Sequence, residues 1–594
     1  MSFVINSGRL SVARPFVASL FDTRPSPAAL LALAGLPVLA AAWALLSPDH
    51  VLSNAMTWDF VFNLSGAWHV YVGHTPHVDF HEPLGQLNFI LTAIGFHLLG
   101  PGPFAFLVGV VIVASVLFVA SFLAALRRLP LLPAAIFVVL VCLLALMPAN
   151  IGEKPDQYTF AMSYNRYCWG AFCILALILF VPPRNRSGSD WIDIAIGALL
   201  LLLMFYLKIT YFAAGLAAVA FAVLVQPHVR RRAPAWLGVC ALAVANALAF
   251  HSHPYLNDIL GSTQGGAVRD GLMLHLKNFF AGAGEYAPYL AVLAIASWMA
   301  WIGWASPRLP LSIAFLFAIA LFLLSQNTQA AGLPSAIVIV LALYDQLRER
   351  FAARARDVAP LLLTLLIFPS FAIATSAVSI AGYHIKASRS QSLYVLGDTN
   401  LRGLAVPADE RGAFASFSRG GIDYPLRNEA GVLVPRYELS QYEYVTMLLE
   451  AARLLEQREP GGIALFDQVN PLPFMLGLQP PRGGNLWSIW SAPLRPGDEY
   501  FADVRYVLIP KFPTDPNWTA ALVAHYEAYL AEHFQRAIES PSWRLLARAP
   551  LRTPPTSDYG PAVSSVTSSS TSPVSAAKPA AGGDAPHLKL PANF

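Results

Sequence analysis

Long apolar runs separated by short polar segments fill the chain from residue 29 to residue 380. A transmembrane helix needs about 20 mostly apolar residues, and runs of this kind recur often enough to predict about eleven spans. The runs cover residues 29–47, 103–126, 131–148, 167–182, 191–207, 210–226, 235–251, 286–304, 311–325, 333–345 and 358–380. The pattern therefore predicts an all-α polytopic membrane bundle over residues 29–380.

One further apolar run, residues 83–98, is shorter and carries Gln86, Asn88 and His97. If this run crossed the bilayer, every later loop would change sides. We therefore interpret it as an interfacial or re-entrant helix. The first outer loop then covers residues 48–102 and contains juxtamembrane helices.

The apolar runs end at residue 380, and residues 381–550 have the composition of a soluble domain. Residues 462–467 (GIALFD) and 504–509 (VRYVLI) are typical of short buried strands, and residues 442–456 alternate with helical spacing. These patterns predict a small extracytoplasmic α/β or α+β domain. Residues 551–594 are rich in Ser, Thr, Pro and Ala, which predicts a disordered tail.

Composition excludes an ordinary soluble protein. Hydrophobic types make up 56% of the 594 residues and charged types only 12%, about half the charged fraction of soluble domains. The net charge of +4 is small, and we expect no nucleic-acid partner. Four cysteines, Cys142, Cys168, Cys173 and Cys240, lie in or beside apolar runs, so we interpret them as small buried side chains rather than a disulfide framework.

The basic residues give the bundle an orientation, because short loops rich in Lys and Arg stay in the cytoplasm. The clusters are Arg9, Arg14 and Arg24; Arg127 and Arg128; Arg184 and Arg186; Arg230, Arg231 and Arg232; Arg308; and Arg348, Arg350, Arg354 and Arg356. If residues 1–28 are cytoplasmic and 29–47 form a retained first span rather than a signal peptide, alternate loops receive every cluster. The protein is then a multi-pass protein of the inner (plasma) membrane, with its C-terminal domain outside.

The first outer loop holds the densest candidate chemistry, in residues 57–85. Acids and histidines gather there without Lys or Arg: Asp59, Asp79, Glu82, His69, His74, His77 and His81. Asp59 follows the first span closely, and an acid at that depth is costly unless it faces a polar cavity. The alternative is that these are solvated loop residues with no chemical role.

A motif in this loop resembles the GT-C superfamily of membrane glycosyltransferases. The pattern G-x-x-P-x-x-D-x-x-x-P-L is formed by Gly73, Pro76, Asp79, Pro83 and Leu84, and the adjoining element reads His81-Glu82-Pro83-Leu84-Gly85. Together with an acid just past the first span, it is similar to protein O-mannosyltransferases and the lipid A aminoarabinose transferase. The resemblance implies a sugar donor linked to polyprenyl phosphate, and a first outer loop folded into juxtamembrane helices.

The resemblance also implies roles for the acids. Asp59 corresponds to the acid that positions or activates the acceptor, with Asp79 and Glu82 as further catalytic candidates. A general base takes the proton of the attacking hydroxyl as the new bond forms, and direct attack predicts inversion at the anomeric carbon. The sequence departs from the family at Phe60, where relatives have a second acid, and at Gln86, where some carry Lys.

The phosphate of the donor needs cations from elsewhere in the chain. The candidates on the outer side are Arg166, Lys154, Lys208 and Arg269, with Lys277 beside them. The guanidinium of Arg166 matches phosphate geometry. For Lys208 and Lys277 the alternative is a side chain that merely extends toward the membrane surface from a helix end.

Acceptor or sugar contacts are predicted for His81, Tyr164, Asn165, Arg482 and Trp487. Arg482 and Trp487 lie in residues 467–490 with Trp490; the alternative for this segment is packing at the membrane interface, where Trp is enriched. We expect no required cofactor, although a cluster of His77, Asp79 and His81, with His74 nearby, could hold a divalent metal.

The leading hypothesis is a membrane glycosyltransferase that moves a sugar from a polyprenyl-phosphate donor to a lipid, glycan or protein acceptor on the extracytoplasmic side. The alternative is a transporter or flippase of lipid-linked sugars, which would place ionisable residues near the middle of several spans. A third possibility, a non-catalytic scaffold presenting the outer domain, leaves the acid-rich first loop unexplained.

Overall fold

The computed structural model describes most of the chain between residues 25 and 549. The described residues are 25–184, 190–248, 253–264, 283–325, 333–350, 355–397, 399–408, 426–427, 433–434, 439–488 and 493–549. Residues 1–24 and the predicted tail at 551–594 lie outside them.

Every apolar run predicted as a span contains a helix. In chain order the helices of the first two thirds are α1 (Pro27–Leu46), α2 (Thr57–Tyr71), α3 (Leu87–Leu99), α4 (Phe104–Arg128), α5 (Leu131–Leu146), α6 (Ser163–Phe180), α7 (Asp190–Leu207), α8 (Ile209–Val225), α9 (Pro227–Arg230), α10 (Ala233–Leu248), α11 (His253–Gln264), α12 (Ala283–Trp301), α13 (Arg308–Ser325), α14 (Ala336–Arg350) and α15 (Ala355–Arg389). The predicted helical bundle is confirmed.

Within the described ranges, four helices are long and apolar enough to cross a membrane, namely α1, α4, α6 and α7. A fifth is added if α10 and the start of α11, which meet at a bend of 79°, form one broken span. The other apolar helices have 10–17 residues. The number of about eleven spans therefore stays a prediction.

The run at residues 83–98 forms the short helix α3, which packs between α2 and α4. Its Gly95 lies against the backbone of Ala105, at the start of α4, so closely that a side chain would not fit. The helix expected in the first outer loop is confirmed, and its close packing fixes that loop on the bundle.

One end of the bundle is held by arginine–aspartate pairs. Arg128, at the end of α4, is buried and binds both carboxylate oxygens of Asp193 through Nη1 and Nη2, at 3.1 and 2.7 Å. Arg127 reaches the same carboxylate at 3.0 Å, and Arg232 pairs with Asp190 at 3.1 Å. The loops predicted to be cytoplasmic after α4, α6 and α8 therefore meet at one end.

In its described ranges, the C-terminal part adds eight short strands and four helices. They are β2 (Leu393–Val395), β3 (Leu404–Pro407), β4 (Leu426–Arg427), β5 (Leu433–Val434), α16 (Gln441–Glu456), β6 (Gly462–Leu465), α17 (Leu472–Leu476), α18 (Gly497–Tyr500), β7 (Val504–Pro510), α19 (Pro516–His533), β8 (Phe534–Glu539) and β9 (Trp543–Arg548). The strands expected at 462–467 and 504–509, and the helix at 442–456, are present. The last long helix continues past the predicted boundary at 380 to Arg389, because buried Tyr383 packs against Tyr158 and Phe160 of the bundle.

Three sheets connect these strands in the described ranges, and the smallest is the antiparallel pair β4-β5. The four-stranded sheet has the order β6-β7-β9-β8, with β6 parallel to β7 and the other pairs antiparallel. In the three-stranded sheet, β3 lies between β2 and a strand of the first outer loop, β1 (Val51–Leu52). β1 and β3 are parallel, so the first outer loop and the C-terminal domain share one sheet.

Candidate functional site

The candidate site begins at the start of α2. Met56 adopts a positive φ of 50° just before the helix, and its side chain makes no capping hydrogen bond. Asp59 lies in the first turn and is only 4% exposed. The first turn of a helix favours negative charge, because its backbone N–H groups have no partner within the helix. The local fold thus buries an acid where its charge is tolerated.

Asp59 has neighbours that tune its protonation. Burial raises the pKa of Asp59 to about 7, and the charge of Glu153 adds to this rise. The guanidinium of Arg166 and a hydrogen bond from the backbone N–H of Met162 lower the same pKa. A carboxyl with a pKa near neutrality can both take up and release a proton at physiological pH, as general acid–base chemistry requires.

Arg166 supplies the cation of this group. Its side chain is buried in the first turn of α6, and Nη1 donates to the carbonyl oxygen of Ala161 at 2.8 Å. Its Nε and Nη2 have no hydrogen-bond partner among the residues that the structure describes. Buried donors without a partner cost free energy. Arg166 therefore fits an anionic ligand oxygen.

Glu153, in the loop between α5 and α6, is the second acid beside Arg166. Burial raises the pKa of Glu153, while hydrogen bonds from Asn150 and the charge of Arg166 lower it. Asp59 and Glu153 both lie near the guanidinium of Arg166. The negative charge of either carboxyl therefore disfavours ionisation of the other.

Polar side chains continue from Asp59 into the bundle. Asn63, one turn further along α2, accepts a short hydrogen bond from the amide of Asn88 on α3. Ser163, at the start of α6, donates to the side-chain oxygen of Asn88 at 3.4 Å. This buried row joins α2, α3 and α6 beneath the acid group.

Lys208 approaches the same end of α6 from the break between α7 and α8. Its backbone is extended, with φ at −159°, and its Nζ donates to the side-chain oxygen of Asn165 at 3.0 Å. The same Nζ lies 5.3 Å from the ring centroid of Tyr164. Gly85 of the HEPLG element donates its N–H to the carbonyl oxygen of Leu207 at 3.1 Å. The predicted cations Arg166 and Lys208 and the motif are thus brought together.

A second acid group lies in the motif itself, around Asp258 on α11. One oxygen of Asp258 accepts from Nδ1 of His77 at 2.9 Å and from the backbone N–H of Glu82 at 3.1 Å. The other oxygen accepts from Nδ1 of His81 at 2.8 Å. His77 has a positive φ of 65°, which folds the loop around this carboxylate. Asp258 therefore fixes the loop that carries Glu82.

Glu82 is fully inside this group. Burial raises the pKa of Glu82 well above its usual range, and the charge of Asp258 raises it further. The backbone N–H groups of Trp487 and Leu84 donate to its carboxyl and act in the opposite direction. Asp59 also raises this pKa, so the two acid groups lie within electrostatic reach of each other. These surroundings favour the protonated form of the Glu82 carboxyl over the ionised form.

Other predicted site residues lie elsewhere. Asp79 accepts from the backbone N–H of Thr75 at 2.8 Å and pairs with exposed Arg482 at 3.5 Å, so its contacts lie within the loop and at the surface. Lys154 is exposed, next to partly buried Glu153. The predicted Arg269, Lys277 and Trp490 lie outside the described residues. The roles given to all of these residues stay predictions.

The segment 467–488 packs on the first outer loop. The ring of Trp487 meets Phe62 of α2 edge-on at 4.8 Å and is partly buried. The backbone of His81 forms hydrogen bonds with Gly484 and Leu486 at 3.0 and 2.9 Å. The arrangement brings this segment to the motif, while its predicted roles in acceptor binding or at the membrane interface stay predictions.

The histidines around the motif make hydrogen bonds to one another or to Asp258. No group of three His, Cys, Asp or Glu suited to an ion occurs in the described part of the chain. His69 and His74 meet through their Nδ1 atoms at 3.0 Å, while His77 and His81 both bind Asp258. The alternative cluster of His77, Asp79 and His81 is therefore divided between two different partners.

The site lies at the opposite end of α6 from the arginine–aspartate pairs. Arg166 is in the first turn of this helix, whereas Arg128 donates to the carbonyl oxygen of Val181 just past its last turn. A helix of 18 residues is roughly 27 Å long, close to the thickness of a bilayer core. The acid group and the arginine-rich end are therefore separated by about one membrane thickness.

Of three comparisons with known proteins, only the comparison with solved structures found similar proteins. No model of a known family and no curated protein matches the sequence. Among the structures that match is ArnT from Cupriavidus metallidurans in the apo state, with 13% identity and a TM-score of 0.43 over 86% of this chain and 97% of that chain. The same protein bound to undecaprenyl phosphate matches with 13% identity and a TM-score of 0.41, over 90% of this chain and 100% of that chain. ArnT is lipid A aminoarabinose transferase, and a likeness of this degree leaves the function to be inferred from the site.

Proposed function

We propose that the protein is an integral-membrane glycosyltransferase that uses a polyprenyl-phosphate-linked sugar as its donor. The observation that carries the proposal is the group formed at one end of α6 by buried Asp59, buried Arg166 and partly buried Glu153. It combines an acid whose pKa is about 7 with a buried guanidinium that has unused donors. This pairing suits a reaction in which a hydroxyl loses a proton while a phosphate leaves with negative charge.

The proposed reaction is a direct displacement at the anomeric carbon. The acceptor oxygen forms a bond to this carbon as the bond from the carbon to the phosphate oxygen breaks. The proton of the acceptor hydroxyl passes to ionised Asp59, and the electron pair of the broken bond leaves with polyprenyl phosphate. A single displacement inverts the anomeric configuration.

Arg166 and Lys208 are proposed to bind the leaving phosphate. Arg166 lies in the first turn of α6, and Lys208 reaches the same end of this helix, where its Nζ donates to Asn165. Arg166 offers two donors with no partner among the described residues, which suits the bidentate geometry of phosphate oxygens. Glu82, whose protonated form is favoured by burial, can donate a hydrogen bond from that form to the sugar or the phosphate.

The place of the site agrees with a lipid-borne donor and the extracytoplasmic side. A polyprenyl chain stays in the bilayer core while its phosphate reaches the surface, and the site lies at the end of an apolar helix that could cross the membrane. The opposite end carries the arginine-rich loops that are predicted to be cytoplasmic. The acceptor is a lipid, glycan or protein that meets the donor on the outer side.

The test uses purified wild-type protein in liposomes with undecaprenyl-phosphate-linked sugars, the lipid carrier named in the second ArnT structure. Cell-envelope lipids, glycans and peptides serve as acceptors. A glycosyltransferase releases undecaprenyl phosphate and forms a glycosylated product of opposite anomeric configuration. If the protein moves the donor between leaflets but forms no glycosylated product with any donor tested, the proposal is wrong and the protein is a transporter or flippase.

A further inference from the structure

The C-terminal domain contacts the first outer loop at both acid groups. At the Glu82 group, the backbone of the 483–487 segment runs beside residues 79–82, and the N–H of Trp487 donates to the Glu82 carboxyl. At the Asp59 group, the C-terminal domain contributes the side chain of Gln441, from the first turn of α16. Both contacts lie on the loop that carries the proposed chemistry.

Gln441 supplies a cap that α2 lacks. The first backbone N–H groups of a helix have no partner within it, and residue Met56 provides none from its side chain. The side-chain oxygen of Gln441 accepts the N–H of Thr57 at 2.8 Å, and both residues are buried. Thr57 is two residues before Asp59, so this hydrogen bond holds the turn that carries the acid.

Gln441 is itself held rigidly. Ser440 caps α16 by accepting from the N–H of Glu443, and the Glu443 carboxyl accepts from the N–H of Ser440 in return. One turn along, Tyr444 meets Trp58 edge-on at 6.3 Å. The start of α16 is therefore fixed on the residue pair that precedes Asp59, by one hydrogen bond and one aromatic contact.

We propose that Gln441 is a positioning residue for Asp59, through which the C-terminal domain sets the geometry of the acid group. The inference rests on the proposed function of Asp59. Loss of the Thr57 hydrogen bond lets the first turn of α2 fray, and Asp59 then leaves the orientation set by Arg166 and the N–H of Met162. Proton transfer slows, whereas donor binding by Arg166 and Lys208 continues.

The test compares three variants in the full-length protein. Gln441→Met keeps the length of the side chain but removes the acceptor oxygen. Gln441→Glu keeps an oxygen acceptor and places it at a helix N-terminus, which tolerates a carboxyl. Gln457→Met makes the same change at the exposed other end of α16 and is the matched control.

The expected result is a fall in kcat of about ten-fold for Gln441→Met with an unchanged donor KM, as removal of a single hydrogen bond to the acid-bearing turn would give. Hydrogen–deuterium exchange of the peptide covering Thr57–Phe60 should rise in the same variant. Gln441→Glu should restore most of kcat, and Gln457→Met should behave as wild type.

The outcomes separate this inference from the proposed function. Faster exchange with unchanged kcat, or no change in exchange, would overturn the role of Gln441 even where Asp59→Asn abolishes transfer. A loss of kcat in Gln441→Met alongside a fully active Asp59→Asn variant would instead overturn the role of Asp59. An equal rise of KM and fall of kcat in Gln457→Met would show a general effect of α16 and overturn the specific role of Gln441.

Discussion

Arg166→Gln tests the electrostatics of the acid group. Arg166 lowers the pKa of Asp59, which burial and Glu153 raise, and the balance of these effects lies at about 7. A neighbouring arginine lowers the pKa of an aspartate by about one to three units. Removing the guanidinium should therefore raise the pKa of Asp59 to about 8 or above.

A higher pKa of Asp59 should lower kcat near neutral pH, because only the ionised carboxyl can accept the proton. A base must be deprotonated, so the transfer rate rises with pH through the pKa of Asp59. At pH 7, wild type holds about half of Asp59 ionised, whereas a pKa one unit higher leaves about a tenth. The variant should lose about five-fold in kcat at pH 7 from this cause alone, and recover it toward pH 9.

The assay is the pH dependence of kcat and donor KM between pH 5.5 and 9.5. The proposed phosphate contact adds a second effect, a raised donor KM that higher pH does not repair. Arg505→Gln, which removes an exposed arginine paired with Glu459, is the matched control and should leave both quantities unchanged. If the acid side of the kcat–pH profile of Arg166→Gln had the same midpoint as that of wild type, the reasoning on Asp59 would be refuted.

Three further changes test other parts of the structure. Asp258→Asn should lower kcat by about ten-fold to a hundred-fold in the transfer assay, because a carboxylate that orients neighbouring functional groups is lost. Asn257→Ala on the same helix is the control and should have no effect. Equal activity of the two variants would contradict the role of Asp258. Asp193→Asn should destabilise the fold by about 3–5 kcal/mol, because it leaves buried Arg128 without its carboxylate partner. The midpoint of thermal unfolding should fall without a specific change in donor KM, and an unchanged midpoint would contradict this. A cysteine placed by Val78→Cys, at a side chain that is 56% exposed, should react with an impermeant thiol reagent from outside, and one placed by Arg231→Cys should not; the reverse labelling would overturn the orientation.

The sequence predicted the helices well because lipid imposes a strict rule. A span must satisfy its backbone hydrogen bonds internally, so each long apolar run became a helix, and the short run with Gln86 became α3. The parallel pairing of β1 with β3 could not be foreseen, since it joins residues far apart in the chain and involves only two residues of β1. Such pairing is decided by tertiary packing rather than by local pattern.

The candidate site was predicted in part. Asp59, Glu82, Arg166 and Lys208 stood out as rare ionisable residues beside apolar runs, and the structure brings them to one end of the bundle. The place of Glu153 beside Arg166 could not be predicted, because no pattern in a loop shows whether Glu153 or neighbouring Lys154 faces inward.

Two partners gave no sufficient signal in the sequence. Asp258 binds a loop that lies 176 to 181 residues earlier, and Gln441 reaches Thr57 across 384 residues. Both roles depend on distant contacts of neutral or commonplace side chains. The position of Asp258 shortly after a predicted span was the one sequence feature that pointed to it, and the same kind of position marks Asp59.

The central claim is that buried Asp59 takes the proton of the acceptor during sugar transfer, and Asp59→Asn tests it most directly. Asp156→Asn, an exposed acid in the loop that carries Glu153, is the matched control. In liposomes with an undecaprenyl-phosphate-linked sugar that wild type uses, Asp59→Asn should lose at least about a hundred-fold in kcat, within the range for a general base, while its thermal unfolding midpoint and donor KM stay near wild type. Full transfer by a folded Asp59→Asn variant would contradict the claim.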